Sequence, residues 1–132
     1  MMKVEEYIKS IETHIKRKLK EKTINPIIAR CILLCLRKNI TFSKLYEGAG
    51  IETEEEKKLY SKVKSTWDSK KYFVKDCTRV WQRILKELNL PRMRLQTLNV
   101  IVAVKEGKRK VKSVSRAALE AALAIGDHSP PK

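Results

Sequence analysis

An all-α fold of about seven helices is what this sequence predicts. Good helix formers (Lys, Glu, Leu, Ala, Arg) dominate the 132 residues, and only four Gly and four Pro interrupt them. Apolar side chains recur at i, i+3, i+4 and i+7 and do not alternate as they would in strands. A chain of this length holds one domain, or two very small ones sharing a core.

Val4, Tyr7, Ile8, Ile11, Ile15 and Leu19 predict a first helix over residues 3 to 20. Its end carries Lys16, Arg17, Lys18 and Lys20, where positive side chains offset the negative helix terminus. Asn25-Pro26 restarts the chain with a cap and an N1 proline. The next helix, 26 to 38, holds Ile27, Ile28, Ile32, Leu33, Leu34 and Leu36 and is apolar nearly all round, as a central helix must be.

Thr41 can cap a short helix containing Leu45 that stops at Gly48-Ala49-Gly50. Thr53 and Glu56 then form a capping box for a longer helix with Leu59, Tyr60, Val63 and Trp67 on its apolar side. Short helix, glycine turn and capped helix give residues 40–67 the outline of a helix-turn-helix, which many helical hairpins share. Glu54, Glu55 and Glu56 crowd the end that would face bases, so packing or a protein partner suits this helix better than reading a groove.

KKYFVKDCTRVWQRILKELNLP, residues 70–91, predicts a helix on Val80, Trp81, Ile84, Leu85 and Leu88, closed by Asn89-Leu90-Pro91. A further helix runs from Arg92 to about Lys105 through Met93, Leu95, Leu98, Ile101, Val102 and Val104. The basic loop EGKRKVK, a last helix VSRAALEAALAI capped by Ser113 or Ser115, and the tail GDHSPPK follow.

Thirty Lys and Arg against fifteen Asp and Glu leave a formal charge of +15. The excess is positive in every successive stretch of the chain, so it is a property of the body and not of one tail. Such a field suits a polyanion, since bound Lys and Arg release counterions from phosphates. The bland alternative is a solvated, ion-paired surface. Cys31, Cys35 and Cys77 form no Cys-x-x-Cys pair and read as buried, reduced thiols of a cytosolic protein. No apolar run approaches the ~20 residues of a membrane span, and no secretory signal is visible.

Catalytic patterns are missing. There is no phosphate loop, the aspartates Asp68, Asp76 and Asp127 are scattered, and no Ser or Cys stands near a His in a nucleophile pattern. His14, beside Lys16 and Arg17, reads as a surface residue. The expectation is therefore a protein that is not an enzyme, with no cofactor, no resident metal and no small-molecule substrate.

Residues 3–36 laid over 92–125 without a gap bring helix, basic turn and apolar helix into register. Lys16 meets Lys105, Lys20 meets Arg109, Ala29 meets Ala118 and Leu34 meets Leu123. A duplication explains this, and so does the chance alignment of two amphipathic helix pairs.

The order of elements resembles a shortened, divergent archaeal transcription factor B, the TFIIB family, whose core is two cyclin-like helical repeats. IIARCILLCLRKNITFSKLYEGAGIETEEEKKLYSKV is similar to the third to fifth helices of the first repeat. KKYFVKDCTRVWQRILKELNLP resembles the linker and opening helix of the second, and RMRLQTLNVIVAVKEGKRKVKSVSRAALEAALAI its second and third helices. The family's zinc ribbon and its second helix-turn-helix have no counterpart in this sequence. The basic loop reads Lys110-Val111-Lys112-Ser113 where the family has a Gly-Lys/Arg-Ser ending.

The resemblance implies a first partial cyclin-like unit over 1–68, a linker and second partial unit over 69–126, and a tail over 127–132. It implies a double-stranded DNA-binding, transcription-related core acting beside TATA-binding protein, nucleoid-associated and cytoplasmic. The expected phosphate contacts are Lys16, Arg17, Lys18 and Lys20, the linker residues Lys70, Lys71 and Lys75, the helix-opening Arg92 and Arg94, and Lys108, Arg109, Lys110 and Lys112. Two other readings stand beside it. One is a small basic DNA-coating or architectural protein, such as a nucleoid component or a filamentous-virus coat located in the virion. The other is a protein adaptor presenting Trp67, Tyr72, Phe73 and Trp81 around the linker.

Overall fold

Helix α2, Pro26–Lys38, is the axis on which the other helices pack, as its all-round apolar sequence demands. The structure, a computed structural model, describes residues 4–108. Around α2 lie α1 (Val4–Glu21), α3 (Phe42–Tyr46), α4 (Glu54–Ser69) and α5 (Phe73–Glu87), with α6 (Leu95–Lys105) beyond them; no strand occurs among the described residues. The helix expected over 114–125 lies outside those residues, and so does the later half of the internal echo.

The expected punctuation forms. Asn25 Oδ1 accepts the Ile27 and Ile28 amides at 2.9 and 3.1 Å, with Pro26 at the first helical position. Asn39, at φ +52, ends α2 in the left-handed conformation, and its side-chain Nδ2 donates to the Asn99 carbonyl at 3.1 Å, which ties α2 to α6. Thr41 Oγ1 accepts the Lys44 amide at 3.1 Å. In the capping box, Thr53 Oγ1 accepts the Glu56 amide at 3.0 Å and Glu56 Oε1 accepts the Thr53 amide at 3.1 Å.

Glu56 does more than cap. It is buried, and its Oε2 lies 2.7 Å from Lys38 Nζ, joining the start of α4 to the end of α2. The Lys38 ammonium first, then the Thr53 and Glu52 amides, pull its carboxyl down to about 2.

One apolar cluster runs from Val4 on α1 to Ile101 on α6, and it includes residues on both sides of position 69. From α5 it takes Phe73, Cys77, Trp81, Ile84 and Leu85. Each such large side chain contributes about 1.5–3 kcal/mol by leaving water. The aromatic partner surface therefore does not form as a unit: Phe73 and Trp81 are core residues. Trp67 is half-buried with its ring 4.8 Å from Tyr46 and 5.6 Å from Phe73, and Tyr72 alone of the four is exposed. Cys31, Cys35 and Cys77 are free and buried, and thiol–thiol hydrogen bonding together with burial pushes Cys31 and Cys77 well up.

Two local expectations are corrected. His14 is buried: its Nε2 meets Glu87 Oε1 at 3.0 Å and its Nδ1 meets Arg17 Nη2 at 2.7 Å. With the proton on Nε2 both bonds are made, so the ring bridges α1 to α5. The last described helix starts at Leu95, not Arg92. Tyr7 O–H donates to the Pro91 carbonyl at 2.8 Å, and the Trp81 indole N–H and Gln82 amide donate to the Met93 carbonyl at 2.8 and 3.0 Å. Side chains thus claim the carbonyls of this segment and hold it out of the helix, leaving Arg94 as an N-cap without a side-chain cap bond.

Candidate nucleic-acid interface

Helix α5 turns an uninterrupted apolar side inward and a basic side outward. Outward lie Lys75, Arg79, Arg83 and Lys86, all exposed and spaced by four, four and three residues. Those steps keep them on one face, spread over about 16 Å of helix. Lys71 precedes the helix, and Arg92 comes alongside because the bonds to Pro91 and Met93 fasten the returning chain against α1 and α5.

Lys71, Tyr72, Lys75, Arg79, Gln82 and Arg92 line one shallow groove of 690 Å³. A second groove of 550 Å³ shares Arg79, Gln82 and Arg92 and adds Arg83 and Lys86. The two form one continuous basic surface. Among the described residues, its only ion pair joins exposed Arg79 to half-buried Asp76 at 3.8 Å, a contact worth at most about 1 kcal/mol.

Tyr72 is 58% exposed and stands at the N-terminal end of this surface. The ammonium groups of Lys71 and Lys75 lie 5.5 and 5.7 Å from its ring centre. Each exposed cation–π contact of this kind is worth about 0.5–1 kcal/mol, less than the ~1–3 kcal/mol of a base stacked on an aromatic ring.

The other expected contacts scatter. Lys16 and Lys20 are exposed on α1, but Arg17 is held by His14, and Lys18 Nζ lies 3.0 Å from Glu87 Oε1. Lys70 is exposed at the end of α4. Arg94 belongs to a different cleft, with Phe42, Val74, Trp81 and Leu95. Lys108 is exposed and pairs with Glu106 at 3.0 Å, while Arg109, Lys110 and Lys112 lie outside the described residues. The expected set thus contributes Lys71, Lys75 and Arg92 to the continuous surface.

No family model, curated protein or solved structure matches this chain.

The surface can hold phosphates by charge-assisted hydrogen bonds, with Arg79, Arg83 and Arg92 able to grip two oxygens each. The helical hairpin α3–α4 offers a different chemistry. Glu54 and Glu55 stand exposed in the first turn of α4, Lys57 pairs with Glu54 at 3.2 Å, and Glu56 is spent on Lys38. Its leading end is acidic. Sequence reasoning passed over Arg79, Arg83 and Lys86 because it followed contiguous basic runs. The available signal was their step of three or four along the helix, opposite Phe73, Cys77, Trp81 and Ile84.

Proposed function

We propose that this chain is a double-stranded DNA-binding protein with a transcription-related role, and that it grips phosphates through the outer face of α5. The observation that carries the reading is the run Lys71, Lys75, Arg79, Arg83 and Lys86, joined by Arg92 and opposed, among the described residues, by a single weak ion pair. One strand of B-DNA carries a charge every ~3.4 Å of axis, so about 16 Å of basic helix spans several phosphates. The overall charge of +15 supports the same partner by drawing it in from a distance. The resemblance of residues 3–125 to the core of transcription factor B adds TATA-binding protein as the partner beside which such a core would sit.

A gel shift tests both parts. Duplexes with and without a TATA sequence are titrated with the protein over a salt series, alone and with TATA-binding protein. Binding to either duplex should weaken with a log–log salt slope of about −4 to −5, the value for five or so phosphates. Supershift of the TATA complex supports the transcriptional part. A flat salt dependence removes DNA from the reading; steep dependence without a supershift leaves a general duplex binder.

A further inference from the structure

We infer that Tyr72 is a stacking platform for an unpaired nucleobase, so that the α5 surface takes DNA in which a single-stranded stretch adjoins duplex. The inference rests on the DNA-binding reading and adds a substrate feature that electrostatics alone does not supply. A phosphate surface needs no aromatic ring, yet this one carries an exposed tyrosine at its end, bracketed by two lysines. The rest of the aromatic set is accounted for: Phe73 and Trp81 sit in the core, and Trp67 packs against Tyr46 and Phe73.

The backbone that carries the ring is anchored from below. Tyr72 immediately precedes buried Phe73, and the Asp76 amide donates to the Tyr72 carbonyl at 3.0 Å in the first turn of α5. The phenol is thus presented from an anchored backbone, which lowers the ordering cost of stacking. A base in a duplex has both faces covered by its neighbours, so a side chain of this kind rewards only a base already out of the stack. On stacking, the base displaces one lysine from the ring, and that ammonium stays within reach of the nucleotide's own phosphate. Arg79 and Arg92, in the same groove, hold the phosphates that follow.

The test compares two labelled DNAs of equal length and charge by fluorescence anisotropy: a fully paired duplex, and one with a central run of unpaired thymines. The wild-type chain should bind the second at least about fivefold more tightly. Tyr72→Ala should bring the two affinities to within about twofold of each other, and Tyr72→Phe should keep the preference. Because Tyr72 is exposed, both variants should keep the wild-type melting temperature, which a thermal scan checks. Equal wild-type affinity for both DNAs, or a Tyr72→Ala loss shared equally between them, overturns the inference and leaves duplex binding intact. Failure to bind either DNA overturns both readings.

Discussion

The basic end of α1 and the basic face of α5 contain similar side chains in different surroundings. At the end of α1, two of the four cations are engaged within the protein: Arg17 holds His14, and Lys18 shares Glu87 with that same imidazole. Along α5, Lys71, Lys75, Arg83, Lys86 and Arg92 face no carboxylate within ion-pair distance among the described residues, and Arg79 meets one only at 3.8 Å. The difference arises where the helices meet. Glu87, the last residue of α5, reaches α1, whereas the opposite side of α5 meets solvent. Counting charges therefore overrates α1 and underrates α5, because a cation already paired must give up its partner before it serves a phosphate.

That contrast can be broken most sharply by neutralising one region at a time. Changing Lys75, Arg79, Arg83 and Lys86 together to Gln should flatten the salt dependence of duplex binding by about three to four log–log units and weaken binding at least about a hundredfold. All four are exposed, so the melting temperature should move little. The same treatment of Lys16, Arg17, Lys18 and Lys20 should flatten the slope by about two units at most, for Lys16 and Lys20. It should also lower the melting temperature, since it strips Glu87 of Lys18. Equal slopes for the two variants would erase the distinction.

Glu87→Gln probes the junction from the acidic side. Its carboxyl is held below the usual range by His14 first and Lys18 second, so removing the charge forfeits native-state stability. With a side chain 35% exposed, the loss should be about 1 kcal/mol in urea denaturation. Duplex affinity should rise slightly, because Lys18 is released. Glu56→Gln keeps an oxygen for the capping box but removes a buried charge facing Lys38, so it should lower the neutral-pH melting temperature at least as much as Glu87→Gln does. Because the native carboxyl is depressed to about 2, its stabilisation is full above the ordinary carboxylate range and fades as pH falls from about 5 towards about 2. The wild-type melting temperature should drop through that window, and that of the variant should drop less.

Local signals made most of the fold legible. Asn25-Pro26, the Thr53–Glu56 capping box and the all-apolar face of α2 each act through neighbours in sequence, and each appears where expected. What failed depends on contacts between distant residues. Nothing near His14 announces Glu87, and nothing near Arg92 announces that Tyr7, Trp81 and Gln82 will claim the carbonyls of Pro91 and Met93 and delay α6 to Leu95. The candidate site was half legible for a related reason. Contiguous basic runs are easy to see, yet a binding surface is assembled by helical spacing and by the return of the chain, which bring Arg79, Arg83 and Lys86 into line with Lys71 and Arg92.

Amide chemical-shift mapping during titration with a short duplex tests the central claim most directly, because it reports where the DNA sits without altering a residue. Perturbations should concentrate at residues 71–86 and at Arg92, with Glu54 and Glu55 at the head of α4 unmoved. Perturbations centred on α4, or on the end of α1 with α5 silent, would contradict that claim.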